Sequence, residues 1–236
     1  PFGYEYVQID DGFQQDPIGV PDHWLKTNDK FPGGLDGLKK SIVDRGLKPG
    51  LWTNVSFAQA DYALTNPAYF VPGPDGKPAY GNWVGYVMDG SNPKTLAGLV
   101  TPVYRSLVDS GWQYFKVDAL RHLRYEGYNS FADYFTRKQL DREAVYRHFA
   151  SSITSTLGPK VFKLMCWGVR PELIGLFDGC RLGNDGFGYG GFSEYNSFNN
   201  IVWRNDPDHI ELSQPDAYRA TTLTSLTGSI LMLTDP

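Results

Sequence analysis

The sequence has few cysteines and histidines, no excess of basic residues and no long apolar run. Its 236 residues include two cysteines and four histidines, and the formal net charge is −4. Cys166 and Cys180 lie too far apart for a CxxC redox motif and have no paired histidines for zinc, which leaves one disulfide or two buried free thiols. The net negative charge argues against a nucleic-acid partner, because a protein that binds nucleic acid needs a stripe of basic residues. No apolar run approaches the roughly 18–20 residues of a membrane span, so no membrane partner is expected.

Two common nucleotide-binding motifs are also missing. The sequence contains neither a GxGxxG fingerprint nor a Walker A loop, and we predict no cofactor. No initiator Met and no signal peptide precede the first predicted strand, so the cellular compartment stays undetermined. Aromatic residues, in contrast, make up 15% of the chain. Aromatic side chains can stack on sugar rings, although they also fill ordinary protein cores.

Apolar runs and amphipathic segments alternate along the chain, which indicates parallel βαβ units. Several apolar runs are continuous, as expected of strands with both faces covered. We predict strands at residues 4–9, 48–53, 114–117, 161–165, 178–182 and 229–233. Helices are predicted at residues 34–45, 94–110, 142–157 and 216–226, with a short one at 170–176. Residues 58–93 are predicted as a long loop or a small excursion, with a hairpin turn at Asp75-Gly76, and residues 183–205 as a second long loop.

Conspicuous carboxylates follow the predicted strands. Asp10 and Asp11 follow the first, Asp118 the third and Asp185 the fifth. In a (β/α)8 TIM barrel the C-terminal ends of all strands meet at one face, where the active site lies. A doubly wound sheet is the alternative, but it usually carries a glycine-rich loop after its first strand. We therefore favour an α/β fold of the TIM-barrel type, with the acids around one pocket.

Such a cluster of acids allows three interpretations. The acids could be a glycosidase pair with neighbouring sugar-binding groups, ligands of a divalent cation, or caps of the following helices. Lys116 precedes Asp118 by two residues, so both can point to the same side of a strand. Arg181 lies four residues before Asp185. Both cations could be ion-pair partners of the acids, substrate contacts, or both.

Four stretches resemble the catalytic barrel of glycoside hydrolase families 27 and 36, the retaining α-galactosidases and α-N-acetylgalactosaminidases. They occur in the order found in that clan and span nearly the whole chain. Residues 3–12 carry paired aspartates after a strand, and residues 30–35 with 46–52 carry a Gly-Leu-Trp strand. Residues 111–118 carry Lys-x-Asp, and residues 181–185 with 205–208 carry Arg-x-x-x-Asp followed by Asn-Asp-Pro-Asp.

The resemblance implies a role for each matching residue. Asp118 would be the nucleophile of a retaining α-glycosidase, and Asp185 the general acid and then the general base. Asp185 would have to be protonated at rest. Partial burial and the charge of Asp118 can raise its pKa, Arg181 opposes that rise, and the balance depends on geometry that the sequence does not give. The implied substrate-binding residues are Asp10, Asp11, Trp52, Lys116, Cys166, Trp167, Arg181 and Asp208. No metal ion is implied.

Departures from the family pattern leave the specificity open. The segment Cys166-Trp167-Gly168-Val169-Arg170, which in the clan contacts the 2-position of the sugar, matches neither family closely. The resemblance implies a small-molecule or oligosaccharide α-galactoside as the substrate. An α-N-acetylgalactosaminidase, a galactosyl transglycosidase and a non-catalytic sugar-binding barrel remain alternatives. A metal-dependent hydrolase using Asp10, Asp11, Asp208 and His209 is disfavoured because no HxH or HxxxH spacing occurs.

Residues 1–236 are predicted to form one partial catalytic barrel. The resemblance implies that the clan's first barrel strand and its C-terminal β-sandwich lie outside this chain. The sequence leaves homo-oligomer formation open.

Overall fold

A computed structural model describes residues 3–16 and 21–234 and divides the chain into two compact units, Pro1–Phe162 and Lys163–Pro236. Each unit contains parallel strands that alternate with helices, which confirms the predicted βαβ organisation. The two units are described in turn.

The first unit is organised around three parallel strands. They are β1 (Tyr6–Ile9), β2 (Lys48–Thr53) and β5 (Tyr114–Val117). β2 pairs with β1 on one side and with β5 on the other. Trp52 lies opposite Lys116, and Ile9 lies opposite Leu51, so the C-terminal ends of the strands share one edge. All three agree with the predicted strands, except that β1 begins two residues later.

An aromatic cluster packs against these strands and requires a glycine in β2. The rings of Tyr114 and Phe162 are stacked, with centroids 5.6 Å apart, and Tyr6 lies beside both. A Cβ atom on Gly50 would come within 2.6 Å of the Tyr114 ring, closer than real carbon contacts allow. Gly50 therefore lets the large aromatic side chain pack directly on the backbone of its neighbour.

Helices of the first unit follow the predicted pattern where the periodicity is regular. The α-helices are α1 (Gly34–Val43), α2 (Ala60–Thr65), α3 (Pro93–Thr95), α4 (Thr101–Asp109), α5 (Leu120–His122), α6 (Ala132–Arg137) and α7 (Arg142–Leu157). Short 3-10 turns occupy Pro21–Leu25, Pro67–Tyr69 and Asn82–Val84, and π-helical turns occupy Leu96–Val100 and Leu123–Asn129. The predicted helix at 94–110 is therefore interrupted by a π turn. The helical stretch through α5 and α6 was not predicted, because its π turn disturbs the 3.6-residue spacing of apolar side chains.

Helix α7 agrees with its predicted bounds because both ends carry clear signals. The Asp141 carboxylate caps the first turn, accepting hydrogen bonds from the backbone N–H groups of Glu143 at 2.8 Å and Ala144 at 3.4 Å. Such a cap typically stabilises by about 0.5–2 kcal/mol. Val145, Phe149 and Ile153 recur every four residues and are buried. Gly158, at φ +78°, ends the helix in a conformation that glycine adopts without strain.

The predicted long loop at 58–93 is a small excursion with its own pairing. Two short strands, β3 (Phe57–Ala58) and β4 (Tyr86–Val87), pair antiparallel. Pro72 and Pro78 form an isolated antiparallel bridge around the predicted Asp75-Gly76 turn, in which Gly76 has φ +78°. The hairpin turn is therefore confirmed.

The second unit contains strands β6 (Phe162–Met165), β7 (Gly179–Arg181), β8 (Arg204–Asp206), β9 (Ile210–Glu211) and β10 (Leu233–Thr234). β7 lies between β6 and β8 and pairs parallel to both, and β9 pairs parallel to β10. Its α-helices are α8 (Tyr189–Tyr195) and α9 (Ala217–Thr227), with 3-10 turns at Pro171–Leu173 and Asn196–Phe198. The predicted helix at 216–226 agrees with α9 within one residue at each end.

Three predictions for the second unit were wrong in part. Residues 183–205 are not one long loop, since they contain α8, a 3-10 turn and the start of β8. The predicted strand at 229–233 is reduced to β10, because the left-handed Gly228 ends α9 and only Leu233 and Thr234 form a ladder. The predicted helix at 170–176 is a single 3-10 turn that begins at a proline.

Candidate active site

The candidate residues of the first unit gather at the C-terminal edge of its three parallel strands. We call Asp10, Asp11, Trp52, Lys116 and Asp118 the Asp118 cluster. The two first acids directly follow β1, Trp52 is the fifth residue of β2, and Asp118 directly follows β5. Because parallel strands end together, residues 108 positions apart in the sequence share one edge of the sheet.

A lysine–aspartate ion pair lies at the centre of this cluster. Lys116 Nζ is 2.9 Å from Asp10 Oδ2, and the lysine side chain is only 8% exposed whereas the aspartate side chain is 50% exposed. Gln8 donates to the same carboxylate oxygen, and the backbone N–H of Asp11 donates to Oδ1 at 2.8 Å. A nearly buried ammonium group requires such a counter-ion. Of the alternatives that the sequence left open for Lys116, the ion pair with an acid is present, and its partner is Asp10.

The Asp118 carboxylate is held by one hydrogen bond at each oxygen. The indole Nε1 of Trp52 donates to Oδ2 at 2.8 Å, and the backbone N–H of Ala119 donates to Oδ1 at 2.5 Å. Ala119 has φ +61°, a left-handed conformation that is rare outside glycine and asparagine. These two donors, one at each oxygen, fix the plane of the carboxylate. Asp118 remains partly exposed, so the held carboxylate can still be reached.

Asp11 has a raised pKa in this setting. Partial burial of its carboxyl group is the largest cause, and the charges of Asp10 and Asp118 add to it. Hydrogen bonds from the Gln14 side chain, at 2.6 Å, and from the Gly12 backbone oppose the rise in pKa. The charges of Asp10 and Asp118 are therefore close enough to raise the pKa of Asp11.

The candidate residues of the second unit gather around one buried arginine. We call Arg181, Asp185 and Asp208 the Arg181 cluster. Arg181 is 1% exposed; its Nη2 donates to Asp185 Oδ1 at 2.8 Å and its Nη1 donates to Asp208 Oδ2 at 3.0 Å. The backbone N–H of Gly186 also donates to Asp208 Oδ2, at 2.7 Å. The guanidinium group thus joins two carboxylates that are 23 residues apart in sequence.

The pKa of Arg181 is raised, so the guanidinium group stays charged. Burial alone would lower this pKa, but the neighbouring Cys166, Asp208 and Asp185 together outweigh burial. A buried charge of this kind is tolerated because its hydrogen bonds and ion pairs are satisfied. Both carboxylates are consequently hydrogen-bonded to one buried, charged arginine.

Asp185 does not have the partial burial that was expected. Its side chain is 82% exposed, whereas that of Asp208 is 3% exposed. Asp208 accepts hydrogen bonds from Arg181 and from a backbone N–H. Asp185 lies in the segment after β7, and among the described residues it accepts a hydrogen bond only from Arg181. The expectation that the Asp185 side chain is partly buried is therefore wrong for the second unit taken alone.

Cys166 and Trp167 follow β6 directly. Cys166 is fully buried and Trp167 is half-buried. Both cysteines are buried free thiols, which decides between the two alternatives that the sequence left open. Burial raises the pKa of the Cys180 thiol, so this side chain stays protonated and serves packing rather than nucleophilic chemistry.

Three contributions to these clusters were not predicted from the sequence. They come from the backbone N–H of Ala119, the backbone N–H of Gly186 and the side chain of Gln14. Backbone donors leave no compositional signal, although the glycine after Asp185 permits a tight turn. Within residues 3–16 and 21–234, no three His, Cys, Asp or Glu side chains come together as a metal-binding group. In the same ranges no helix is long and apolar enough to cross a membrane.

Known proteins resemble this chain in sequence and in fold. The sequence profile of the Melibiase family matches residues 1–158. Over 126 residues, 51% of this chain and 17% of the relative, the sequence is 27% identical to the alpha-galactosidase AgaA of Geobacillus stearothermophilus. The chain therefore spans only a small part of that curated relative.

Solved structures match nearly the whole chain. TtGalA, an α-galactosidase from Thermus thermophilus solved in complex with stachyose, has a TM-score of 0.75 at 23% identity, over 100% of this chain and 55% of that one. The α-galactosidase AgaA from Geobacillus stearothermophilus has a TM-score of 0.72 at 18% identity, over 98% of this chain and 34% of that one. These similarities confirm the predicted α/β fold of the TIM-barrel type. With more than half of its sequence matched by the family profile, the chain belongs to the Melibiase family of glycoside hydrolases.

Proposed function

We propose that this chain carries the catalytic residues of a retaining α-galactosidase that releases terminal α-linked galactose. The observation that supports the proposal is the Asp118 carboxylate, whose two oxygens accept hydrogen bonds from Trp52 and Ala119, in the same cluster as the Lys116–Asp10 ion pair. Family membership and the α-galactosidase relatives agree with it.

In this proposal Asp118 is the nucleophile. One carboxylate oxygen attacks the anomeric carbon, and the bond from that carbon to the leaving oxygen breaks. Its two hydrogen-bond donors are fixed before substrate arrives, so little reorganisation is needed when the carboxylate turns into an ester. The attack produces a covalent glycosyl-enzyme with inverted configuration at the anomeric carbon.

Asp185 is proposed as the general acid and base. It gives its proton to the leaving oxygen, and in the second step it takes a proton from the water that attacks the glycosyl-enzyme. Two inversions give net retention. The Asp185 side chain is exposed and is held by Arg181, so a leaving group can reach it from solvent.

Sugar recognition is assigned to Asp10, Asp11 and Lys116. Carboxylate oxygens accept hydrogen bonds from hydroxyl groups, and the ammonium group donates to hydroxyl oxygens. The family resemblance assigns the two acids to the axial 4-hydroxyl and the 6-hydroxyl of galactose. Cys166 and Trp167 are assigned to the side of the sugar that carries its 2-substituent, with Arg181 and Asp208 positioning the acid/base.

Hydrolysis of 4-nitrophenyl α-D-galactopyranoside by the intact protein tests this function. We expect turnover that Asp118→Asn abolishes and that Asp109→Asn, at an exposed position at the end of α4, leaves unchanged. The α-N-acetylgalactosaminide measured in parallel tests the sugar, since turnover of that substrate alone would overturn the galactose assignment. Unchanged rates in Asp118→Asn would overturn the nucleophile assignment.

A further inference from the structure

The Asp185 side chain, proposed as the acid/base, is held by a single group among the described residues. Its Oδ1 accepts a hydrogen bond from Arg181 Nη2 at 2.8 Å, and 82% of the side chain is exposed. A general acid acts only when its carboxyl group lies within hydrogen-bond distance of the leaving oxygen. The orientation of Asp185 therefore depends on how firmly Arg181 itself is held.

Arg181 is held in turn by Asp208. Nη1 of the arginine donates to Asp208 Oδ2 at 3.0 Å, and Nε donates to the backbone carbonyl of Gly183 at 3.1 Å. The guanidinium group is a rigid plane, so the contacts at Nη1 and Nη2 cannot move independently of each other. A rotation of the Asp208 carboxylate would consequently displace the Nη2 group that donates to Asp185.

Asp208 has a backbone conformation that its surroundings must support. Its φ is +76°, a left-handed conformation that is uncommon outside glycine. The backbone N–H of Asp208 donates to Asp206 Oδ1 at 2.8 Å, which fixes the main chain at this position. The Asp208 side chain is only 3% exposed, so protein groups rather than bulk water determine how its carboxylate is oriented.

His209 contacts the Asp208 carboxylate at the oxygen that Arg181 does not use. Its Nδ1 is 3.2 Å from Asp208 Oδ1, and because a carboxylate only accepts hydrogen bonds, Nδ1 is the donor. On the opposite side of the ring, Nε2 is 3.8 Å from Glu211 Oε1. Glu211 is fixed as well, since its Oε2 accepts from Gln214 Nε2 at 2.9 Å and its backbone pairs with β10. The imidazole ring is therefore held between two carboxylates.

We propose that His209 is a positioning residue for Asp185 and acts on it through Asp208 and Arg181. The inference rests on the proposed role of Asp185 as general acid and base. His209 directly follows the last of the stretches that carry the family resemblance, so the resemblance assigns it no role. Without the imidazole ring, the Asp208 carboxylate is freer to rotate, and Asp185 spends less time in the orientation that protonates the leaving oxygen.

Two galactosides that differ in their need for a proton test this role in the intact protein. Phenolate is a basic leaving group that requires protonation, whereas 2,4-dinitrophenolate leaves without it. His209→Leu is expected to lower kcat/KM for phenyl α-D-galactopyranoside about tenfold, a part of the roughly 10²–10⁴-fold that general acid catalysis contributes. For 2,4-dinitrophenyl α-D-galactopyranoside the same variant should lose less than about twofold, because that reaction does not use the acid.

Three further variants define the contact. His209→Asn places an amide donor near the position of Nδ1, so it should retain at least about half of the kcat/KM for the phenyl galactoside. Glu211→Gln removes the charge that faces Nε2 and should give the same selective loss to a smaller extent. Glu211 is 42% exposed, so this variant tests the role of His209 even if His209→Leu fails to fold. His148→Leu, at an exposed position on α7, is the matched control and should change neither rate.

The outcomes separate this inference from the proposed function. An equal loss for both galactosides in His209→Leu would show a purely structural role and overturn the inference, as would no loss for either. A His209→Asn variant as impaired as His209→Leu would overturn the action through Asp208. If His209→Leu does not fold, an unchanged ratio of the two rates in Glu211→Gln overturns the inference. A natural protein that hydrolyses neither galactoside would overturn the proposed function instead.

Discussion

The indole Nε1 of Trp52 donates a hydrogen bond to Asp118 Oδ2 at 2.8 Å, across two neighbouring parallel strands. Trp52 is 5% exposed and packs against Trp24, with ring centroids 5.7 Å apart. The donor is therefore held rigidly. This contact makes Trp52 a positioning residue for the proposed nucleophile as well as a candidate wall of the sugar site.

Replacing Trp52 with phenylalanine should slow the formation of the glycosyl-enzyme. A hydrogen bond to a charged group contributes about 1.5–3 kcal/mol, so we expect a loss of roughly ten- to a hundredfold. Pre-steady-state release of 4-nitrophenol measures that step separately from the release of galactose. The matched control is Trp112→Phe, a buried tryptophan whose Nε1 has no hydrogen-bond partner within the described residues. An equal loss in both variants would refute the positioning role.

We expect loss of the Lys116–Asp10 ion pair to lower kcat/KM for the substrate more than it lowers the stability of the fold. Lys116→Met leaves Asp10 without its ammonium partner, but the half-exposed carboxylate can be solvated by water. We expect kcat/KM for the galactoside to fall by at least about a hundredfold while the melting temperature changes little. Lys48→Met provides the control, because Lys48 forms an exposed ion pair at 2.6 Å with Glu5, the residue just before β1. Loss of folding in Lys116→Met with no loss in Lys48→Met would show that the pair is structural.

We expect the ionised Asp11 side chain to lower the stability of the fold while it contributes to sugar recognition. Its pKa is raised above the ordinary value of 3.8, so above that pH the folded protein binds more protons at this position than the unfolded chain does. The stability that the protonated Asp11 side chain gives the folded protein is therefore lost as the pH rises from 3.8 through the raised pKa of this group. Asp11→Asn keeps an acceptor for Gln14 and removes the charge. We expect it to raise the melting temperature at pH 7, with a smaller gain near pH 4, and to lower turnover.

Thermal unfolding followed at several pH values checks this prediction. Asp109→Asn, at an exposed end of a helix, should give little change at either pH. A melting temperature for Asp11→Asn that is lower at pH 7 than that of the natural protein would contradict the account, because it would mean that the ionised carboxylate stabilises the fold.

The left-handed backbone of Ala119 should resist a β-branched side chain. A left-handed conformation costs an ordinary residue about 1–2 kcal/mol and a β-branched residue more, so Ala119→Val should lower the melting temperature by several degrees. Moving this backbone out of the left-handed region would also turn the N–H away from Asp118 and reduce activity. Ala119→Gly should retain activity. Ala144→Val, at an exposed position on α7, is the control for the added methyl groups.

The strands that carry the Asp118 cluster could be predicted because their mostly apolar sequences match their buried positions in the fold. Apart from Lys48, Thr53 and Lys116, residues 48–53 and 114–117 are apolar or small and do not alternate with polar residues, as expected of strands covered on both faces. β8 was missed for the opposite reason. It reads Arg204-Asn205-Asp206, three polar residues, yet Asn205 and Asp206 are fully buried and held by tertiary contacts. No local pattern reveals a polar strand of this kind.

The candidate carboxylates could be selected from the sequence, but their surroundings could not. Strand ends and family motifs indicated Asp118, Asp185 and Asp208. The link through Arg181 joins residues 27 positions apart, and the exposure of Asp185 depends on the path of the following backbone. Both are properties of the folded chain. The left-handed Ala119 likewise has no signature in composition.

The covalent intermediate tests the central claim most directly. The intact protein would be inactivated with 5-fluoro-α-D-galactopyranosyl fluoride, which forms a glycosyl-enzyme that hydrolyses slowly, and the labelled peptide would be identified by mass spectrometry. The account predicts that the fluorosugar is attached to Asp118 through an ester. A label on any other residue, or turnover of the aryl galactoside without a trappable ester, would contradict it.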